Sequence, residues 1–201
     1  MVSILLYAVA LLAAGFASHA ARAENFRIGD KVPDFLGQDY AGRPVRLSDD
    51  PGKVTVITFW ATWCGPCLQE LPVLEAIQES VGKDRFRVIG IDFQESLSTF
   101  ENTNKSLSKF QMTFSYDAGG AIAKQFGING IPHLYIVDGQ GEIVDIHVGY
   151  GPEMADELAR EITGLVGDHG PAPNRPDRAP RPSGPTATAY RPALAIQARA
   201  N

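Results

Sequence analysis

The chain has 201 residues, 44% of them hydrophobic and 20% charged, with a formal net charge of −5. That composition excludes a disordered or membrane protein, and the length leaves room for one ordinary domain with short appendages. The charge is uneven: residues 24–167 carry 12 Lys/Arg against 21 Asp/Glu, residues 168–201 five Arg against two Asp. An acidic domain argues against nucleic acid as the main partner, because phosphate contacts need a basic surface.

Ile4 to Phe16 is a thirteen-residue apolar stretch, short of the roughly 20 residues of a comfortable membrane span. Ala21-Arg22-Ala23 follows with the small-x-small pattern of a cleavage site. Residues 1–23 therefore read as an export signal that leaves Glu24 as the mature start, and a periplasmic or otherwise exported location is expected. Met1-Val2-Ser3 carries no Lys or Arg, so an uncleaved membrane anchor stays open. No Cys stands near residue 20, which argues against a lipid anchor.

Residues 24–167 form the expected domain. Thr55-Val56-Ile57-Thr58-Phe59-Trp60-Ala61 is a β-branched and aromatic run, the pattern of a buried central strand. From Pro66 to Gly82, Leu68, Leu71, Leu74, Ile77 and Val81 recur three or four apart, predicting an amphipathic helix with a kink at Pro72. Phe86 to Phe93 is a second strand, completing a strand–helix–strand unit that implies parallel pairing. Residues 96–110 read as a helix with Leu97, Phe100, Leu107 and Phe110 on roughly one side. A weak strand over Thr113–Tyr116 and a short helix over Ala121–Phe126 follow. Leu134–Val137 and Glu142–Val148 flank Asp138-Gly139-Gln140-Gly141, which has turn chemistry and predicts a hairpin. Pro152 fits the first turn of a closing helix over Glu153–Val166, and Gly167 its exit. Residues 168–201 hold half of the fourteen prolines, mixed with Arg, Ala and Gly and without periodicity. They read as a disordered Pro/Arg-rich tail.

The only two cysteines, Cys64 and Cys67, sit three apart. An exported protein that uses disulfides as staples usually shows several spaced pairs; one tight pair points to reactivity. Trp63-Cys64-Gly65-Pro66-Cys67 follows the predicted buried strand and opens the predicted helix. A thiol there faces unpaired backbone N–H groups and the positive end of the helix dipole, both of which favour the attacking thiolate. Cys64, the more N-terminal, is the expected nucleophile, and Cys67, one turn later, the resolving thiol. Trp60 is expected in the core beneath the helix, Trp63 over the nucleophile as a flat apolar surface for partners. Three other uses of such a pair fit less well. Zinc needs four ligands, and the domain and its tail offer only this pair with His133, His147 and His169. A structural disulfide closing so small a loop contributes about 2 kcal/mol in the chain-entropy model. A copper relay through the pair and a distant His usually needs wider cysteine spacing. Redox exchange fits best and needs no metal or organic cofactor.

Phe59 to Cys67, with Glu70 and Pro72 following, resembles the thioredoxin superfamily signature. Gly29-Asp30-Lys31-Val32-Pro33-Asp34-Phe35, then Gly42 and Leu47, is similar to the opening of the TlpA/ResA-like exported reductases, as is Ile131-Pro132 heading a strand before Asp138-Gly139-Gln140-Gly141. The resemblance spans about residues 27–166. It implies a thioredoxin-like three-layer α/β/α fold with a mixed central sheet and an inserted strand–helix element between Cys67 and Pro132. It implies that Pro132 is a cis-proline facing the dithiol and that the backbone of Ile131 pairs with an extended substrate chain. Thr58 stands where thioredoxins proper often carry a buried Asp; relatives instead tend to use a Glu after the second central strand. Glu95 matches that place and is the expected proton acceptor or donor for Cys67. His133 departs from the Thr that relatives usually carry, which leaves the redox potential open.

The resemblance further implies a monomeric thiol–disulfide oxidoreductase that reduces disulfides of a partner protein and is recharged by a membrane electron donor. An oxidase or isomerase of periplasmic disulfides, or a non-catalytic haem or copper assembly chaperone on the same fold, stays open. Cytochrome c apoproteins, a copper-assembly protein and general periplasmic disulfides are all compatible substrates.

Overall fold

A computed structural model describes residues 26–167, so the expected export signal and the Pro/Arg-rich tail lie outside the described residues. The domain is built on two central strands, β3 (Val54–Trp60) and β4 (Phe86–Asp92), each buried at all seven positions. Their lack of polar alternation follows from being covered on both faces. They pair in parallel from Val54 opposite Phe86 to Trp60 opposite Asp92. The helix α1 (Gly65–Val81) makes the crossover between them and continues through Pro72.

Around this pair the sheet runs in the order β2 (Pro44–Arg46), β1 (Phe35–Gln38), β5 (Thr113–Tyr116), β4, β3, β6 (His133–Val137), β7 (Ile143–Val148). β5 (Thr113–Tyr116) extends the parallel half, with α2 (Leu97–Leu107) as its crossover from β4. This pair supplies the expected extra strand–helix element. β6 (His133–Val137) and β7 (Ile143–Val148) form the predicted hairpin, with β6 antiparallel to β3. Two short strands, β1 (Phe35–Gln38) and β2 (Pro44–Arg46), add an antiparallel edge beyond β5. The sequence reading missed both, because three or four residues with a Gly and a Pro carry too little periodicity. Gly37 has φ +107°, and a Cβ there would stand 2.7 Å from the Tyr116 carbonyl oxygen, so only glycine lets β1 approach β5.

Helices cover both faces unequally. On one, Val56, Trp60, Leu134 and Ile136 pack with Leu71 and Leu74 of α1, Phe100 of α2, and Leu158 and Ile162 of α4 (Met154–Gly167). On the other, Ile57, Phe59, Ile89 and Tyr135 pack with Ile122 of the short α3 (Ala121–Gln125), Phe126 and the incoming Val32 and Val45. The fold is therefore the expected mixed α/β sandwich. Among the described residues no helix is long and apolar enough to cross a membrane.

Two elements differ from the sequence reading in detail. α2 stops at Leu107, and Phe110 beyond it stacks on Phe114 at 6.3 Å. The apolar stripes of α1 and α2 are also wider than the core they cover, since Leu68 and Leu97 are exposed. α1 instead buries three polar side chains, Glu70, Glu75 and Gln78. Glu75 accepts hydrogen bonds from the backbone N–H groups of Gln111 (2.6 Å) and Met112 (3.0 Å), and Gln78 Oε1 accepts one from Val88 N–H (2.7 Å). These bonds key the helix to β4 and β5, and a periodicity count cannot see them.

Glu75→Ala should therefore lower the unfolding free energy by about 2–3 kcal/mol, because it strands two backbone donors in the interior. Glu79→Ala, one turn away and exposed, should change it by less than about 0.5 kcal/mol. Urea unfolding of the two variants beside the wild type checks the difference.

Candidate active site

The polypeptide leaves β3 at Trp60 and turns through Ala61, Thr62 and Trp63 into α1. Cys64 N–H donates to the Ala61 carbonyl (3.1 Å), and Cys64 takes extended angles (φ −91°, ψ 98°) as the residue capping α1. Pro66 occupies the first turn, where a missing N–H costs nothing. Cys67 N–H donates to Cys64 Sγ at 3.2 Å. A backbone donor from the first helical turn thus points at the sulfur, the arrangement that stabilises a thiolate. The two sulfurs form a disulfide, with Cα atoms 5.3 Å apart. Cys64 is 5% exposed and Cys67 0%, so an attacking group meets Cys64 first. Trp60 lies in the core and Trp63 is 64% exposed, which separates the two tryptophans as expected.

The Ile131–Pro132 peptide is cis. Phe59 is in register with His133, so the antiparallel continuation brings Pro132 and Ile131 alongside Trp60 and Ala61, next to the dithiol. The Pro132 carbonyl accepts from Gly149 N–H (2.8 Å), which ties this corner to the end of β7. Ile131 is half-buried and precedes the first ladder residue of β6. His133 belongs to the sheet face opposite the one that packs Cys67. Its ring stacks on Tyr135 at 4.9 Å, and burial lowers its pKa. With Phe26, Phe126, Ile146 and Val148 it lines a cavity of about 340 Å³ on that face.

Three carboxyl groups stand near the dithiol. Glu95 is half-buried and binds the turn before Cys64, accepting from Thr62 N–H (3.0 Å) and from the Thr62 hydroxyl. Asp92, at the end of β4 and opposite Trp60, is buried. Burial first, then the neighbouring Glu95 carboxyl, push Asp92 well above the usual carboxylate range.

Glu70 is the third carboxyl, and the sequence reading gave it no role of its own. It is one helical turn after Cys67, on the same face of α1, and is fully buried. One oxygen accepts from the Thr58 hydroxyl at 2.7 Å; the other has no hydrogen-bond partner among the described residues. Burial pushes Glu70 up to about 7, while the Thr58 hydrogen bond and the nearby His147 pull it down without offsetting that cost. The available signal was a Glu three residues past Cys67 within a stripe that otherwise faces the core.

His147 lies on β7, on the same sheet face. Its Nε2 is 3.1 Å from Glu161 Oε2 of α4. Hydrogen bonding to Glu161, with Asp145 and Glu157 close by, raises the His147 pKa and favours the imidazolium. Burial and the nearby Asp145 raise Glu161, while its hydrogen bond to His147 acts in the opposite direction.

The AhpC/TSA family model matches residues 28–146. The chain belongs to the AhpC/TSA family. This AhpC/TSA chain is 27% identical over 149 residues to the thiol-disulfide oxidoreductase ResA of Bacillus cereus, covering 74% of this chain and 86% of the relative. It is 33% identical over 123 residues to the thioredoxin-like protein YneN of Bacillus subtilis, covering 60% and 71%. A Chlorobium tepidum structure, described as a thiol:disulfide interchange protein DsbE, aligns with a TM-score of 0.63 at 29% identity, over 70% of this chain and 99% of that one. With the Cys64–Cys67 pair at the head of α1, this member of the family is a thiol–disulfide oxidoreductase with a thioredoxin-like fold.

Glu70 makes stability depend on pH in a defined direction. Its native pKa, about 7, lies above its ordinary 4.5. Its contribution is thus fully present below pH 4.5 and is lost as pH rises to about 7, a loss on the order of 3 kcal/mol. Glu70→Gln removes that loss. Urea unfolding of the oxidised proteins should show the variant gaining on the wild type between pH 5 and pH 8; parallel curves would refute the assignment.

Proposed function

We propose that this oxidoreductase works in the reducing direction, in an exported compartment, on disulfides of partner proteins. The observation that carries the exchange chemistry is the asymmetry of the pair: Cys64 caps α1 beside the exposed Trp63, whereas Cys67 is fully buried one turn before Glu70. The Cys64 thiolate attacks one sulfur of the partner disulfide, and the other partner sulfur leaves as a thiolate. Trp63, the Ile131 backbone and Pro132 receive the partner chain in extended form beside the reacting sulfurs. Cys67 then loses its proton and attacks Cys64 Sγ, releasing the second partner thiolate and forming the Cys64–Cys67 disulfide. The partner gains two electrons and, from solvent and the Cys67 relay, two protons. A membrane dithiol donor returns the electrons to the pair.

Two carboxyls compete for the Cys67 proton. Glu95 is the one that the family resemblance points to, and its oxygens are engaged by Thr62. We assign the proton to Glu70, whose pKa near 7 makes it a good acceptor and donor at neutral pH, and give Glu95 the task of holding the turn ahead of Cys64. The reducing direction rests on the Gly65-Pro66 dipeptide, which resembles that of strongly reducing thioredoxins near about −270 mV. Export rests on the signal-like residues 1–23.

Cys67→Ala should accumulate a mixed disulfide through Cys64, identifiable by mass spectrometry, and Cys64→Ser should accumulate none. Glu70→Gln should slow resolution of that mixed disulfide by on the order of 10²-fold at pH 7, with Glu95→Gln affecting it much less; the reverse ranking returns the proton to Glu95. Equilibration with glutathione should give a potential nearer about −270 mV than −120 mV, and a value at the oxidising end would overturn the direction.

A further inference from the structure

We propose that His147 is a positioning residue for the resolving half of the exchange, its imidazolium favouring the carboxylate form of Glu70 beneath Cys67. The inference rests on the reading of Glu70 as the proton acceptor for Cys67, and it adds a residue on a different strand. The sheet register brings the groups together. Thr58 on β3 is opposite Leu134 on β6, and Leu134 is opposite His147 on β7. The three residues form one row across the sheet and share the face that α1 and α4 cover. Strands lie about 4.8 Å apart, so two steps separate Thr58 and His147 by roughly 10 Å at the backbone. Glu70 descends from α1 onto the Thr58 end of that row, at 2.7 Å. Glu161 descends from α4 onto the His147 end, at 3.1 Å. Leu134 between them is fully buried, so the intervening medium is apolar and screens poorly.

The groups facing this row from each element are few. β3 contributes the Thr58 hydroxyl and α1 contributes Glu70. β7 contributes His147 and Asp145, and α4 contributes Glu157 and Glu161. Tyr150, just beyond β7, senses the charge on Glu70. His147 is the sole group among these that can carry positive charge. Asp145, Glu157 and Glu161 all act to keep it charged. The device is thus a relay of electrostatic effect rather than of protons: the acids of β7 and α4 hold the imidazolium, and the imidazolium lowers the cost of a buried carboxylate on Glu70. The sign follows. While His147 is protonated, Glu70 ionises more readily and accepts the Cys67 proton at lower pH. Once His147 is neutral, the help is gone.

The test is a ¹³C-detected titration of the Glu70 side-chain carboxyl in the full-length oxidised protein, paired with the pH profile of mixed-disulfide resolution. His147→Gln should move the Glu70 midpoint up by on the order of one pH unit, the size expected for a unit charge about two strand spacings away at an effective dielectric of about 20. The alkaline displacement of the resolution profile should match it. His147→Lys, which keeps a cation, should bring both back towards wild type. An unmoved Glu70 midpoint in His147→Gln overturns the proposal, as does an equal shift in the Gln and Lys variants, which would mark a packing effect. Glu70→Gln serves as the separate control. If it resolves with the wild-type pH profile, the Glu70 reading fails, while the midpoint in His147→Gln still judges the influence of His147 on that carboxyl.

Discussion

Burying Glu70 on the inner face of α1 is the constraint on which the active site depends. A carboxyl placed in that interior must either find partners or keep its proton. Here it has one donor, the Thr58 hydroxyl, and the outcome lies between the two. The group is poised near neutrality because it is neither well solvated nor fully paired. Moving it to the surface would return it to the ordinary carboxylate range. The site therefore depends on how deeply α1 is seated, which is set by the apolar contacts of Leu71 and Leu74 and by the Glu75 and Gln78 bonds to β4 and β5.

The two cysteines inherit their difference from the same seating. Cys64 belongs to the cap of the helix and Cys67 to its buried face, a division made by a single turn of backbone. The cis Ile131–Pro132 corner and the Glu95 bonds to Thr62 frame the N-terminal end of α1 from two sides. The reacting sulfur thus lies among fixed backbone, with the mobile choice left to the partner chain. Precision of this kind comes from placing the nucleophile at the junction of a central strand and a long helix rather than on a free loop.

Much of this was legible in the sequence. β3 is legible as a β-branched and aromatic run and β4 as the strand that follows the helix, the hairpin by its Asp-Gly turn, and the dithiol by spacing and by its place between a strand and a helix. Resemblance to a family added the cis peptide at Pro132, which local chemistry alone does not favour. What stayed hidden was of two kinds. β1 and β2 were too short to show a period and exist because Gly37 permits contact with β5. The polar members of α1 were hidden because the apolar period of the helix assigns no partner to Glu70, Glu75 or Gln78, whereas each meets a donor supplied by another element. Long-range partners of buried polar groups carry no local signature, and for the same reason nothing around His147 in the sequence points to Glu161.

Because Cys67, Glu70, Glu75 and Gln78 lock one side of α1 inward, the opposite side carries none of the redox chemistry. Leu68 and Pro72 stand there exposed, on the helix that Trp63 and Cys64 lead into. Substitutions on that outer side leave untouched the buried groups that surround the sulfurs. One helix thus divides into a side that surrounds the dithiol and a side free to vary in sequence without reaching it.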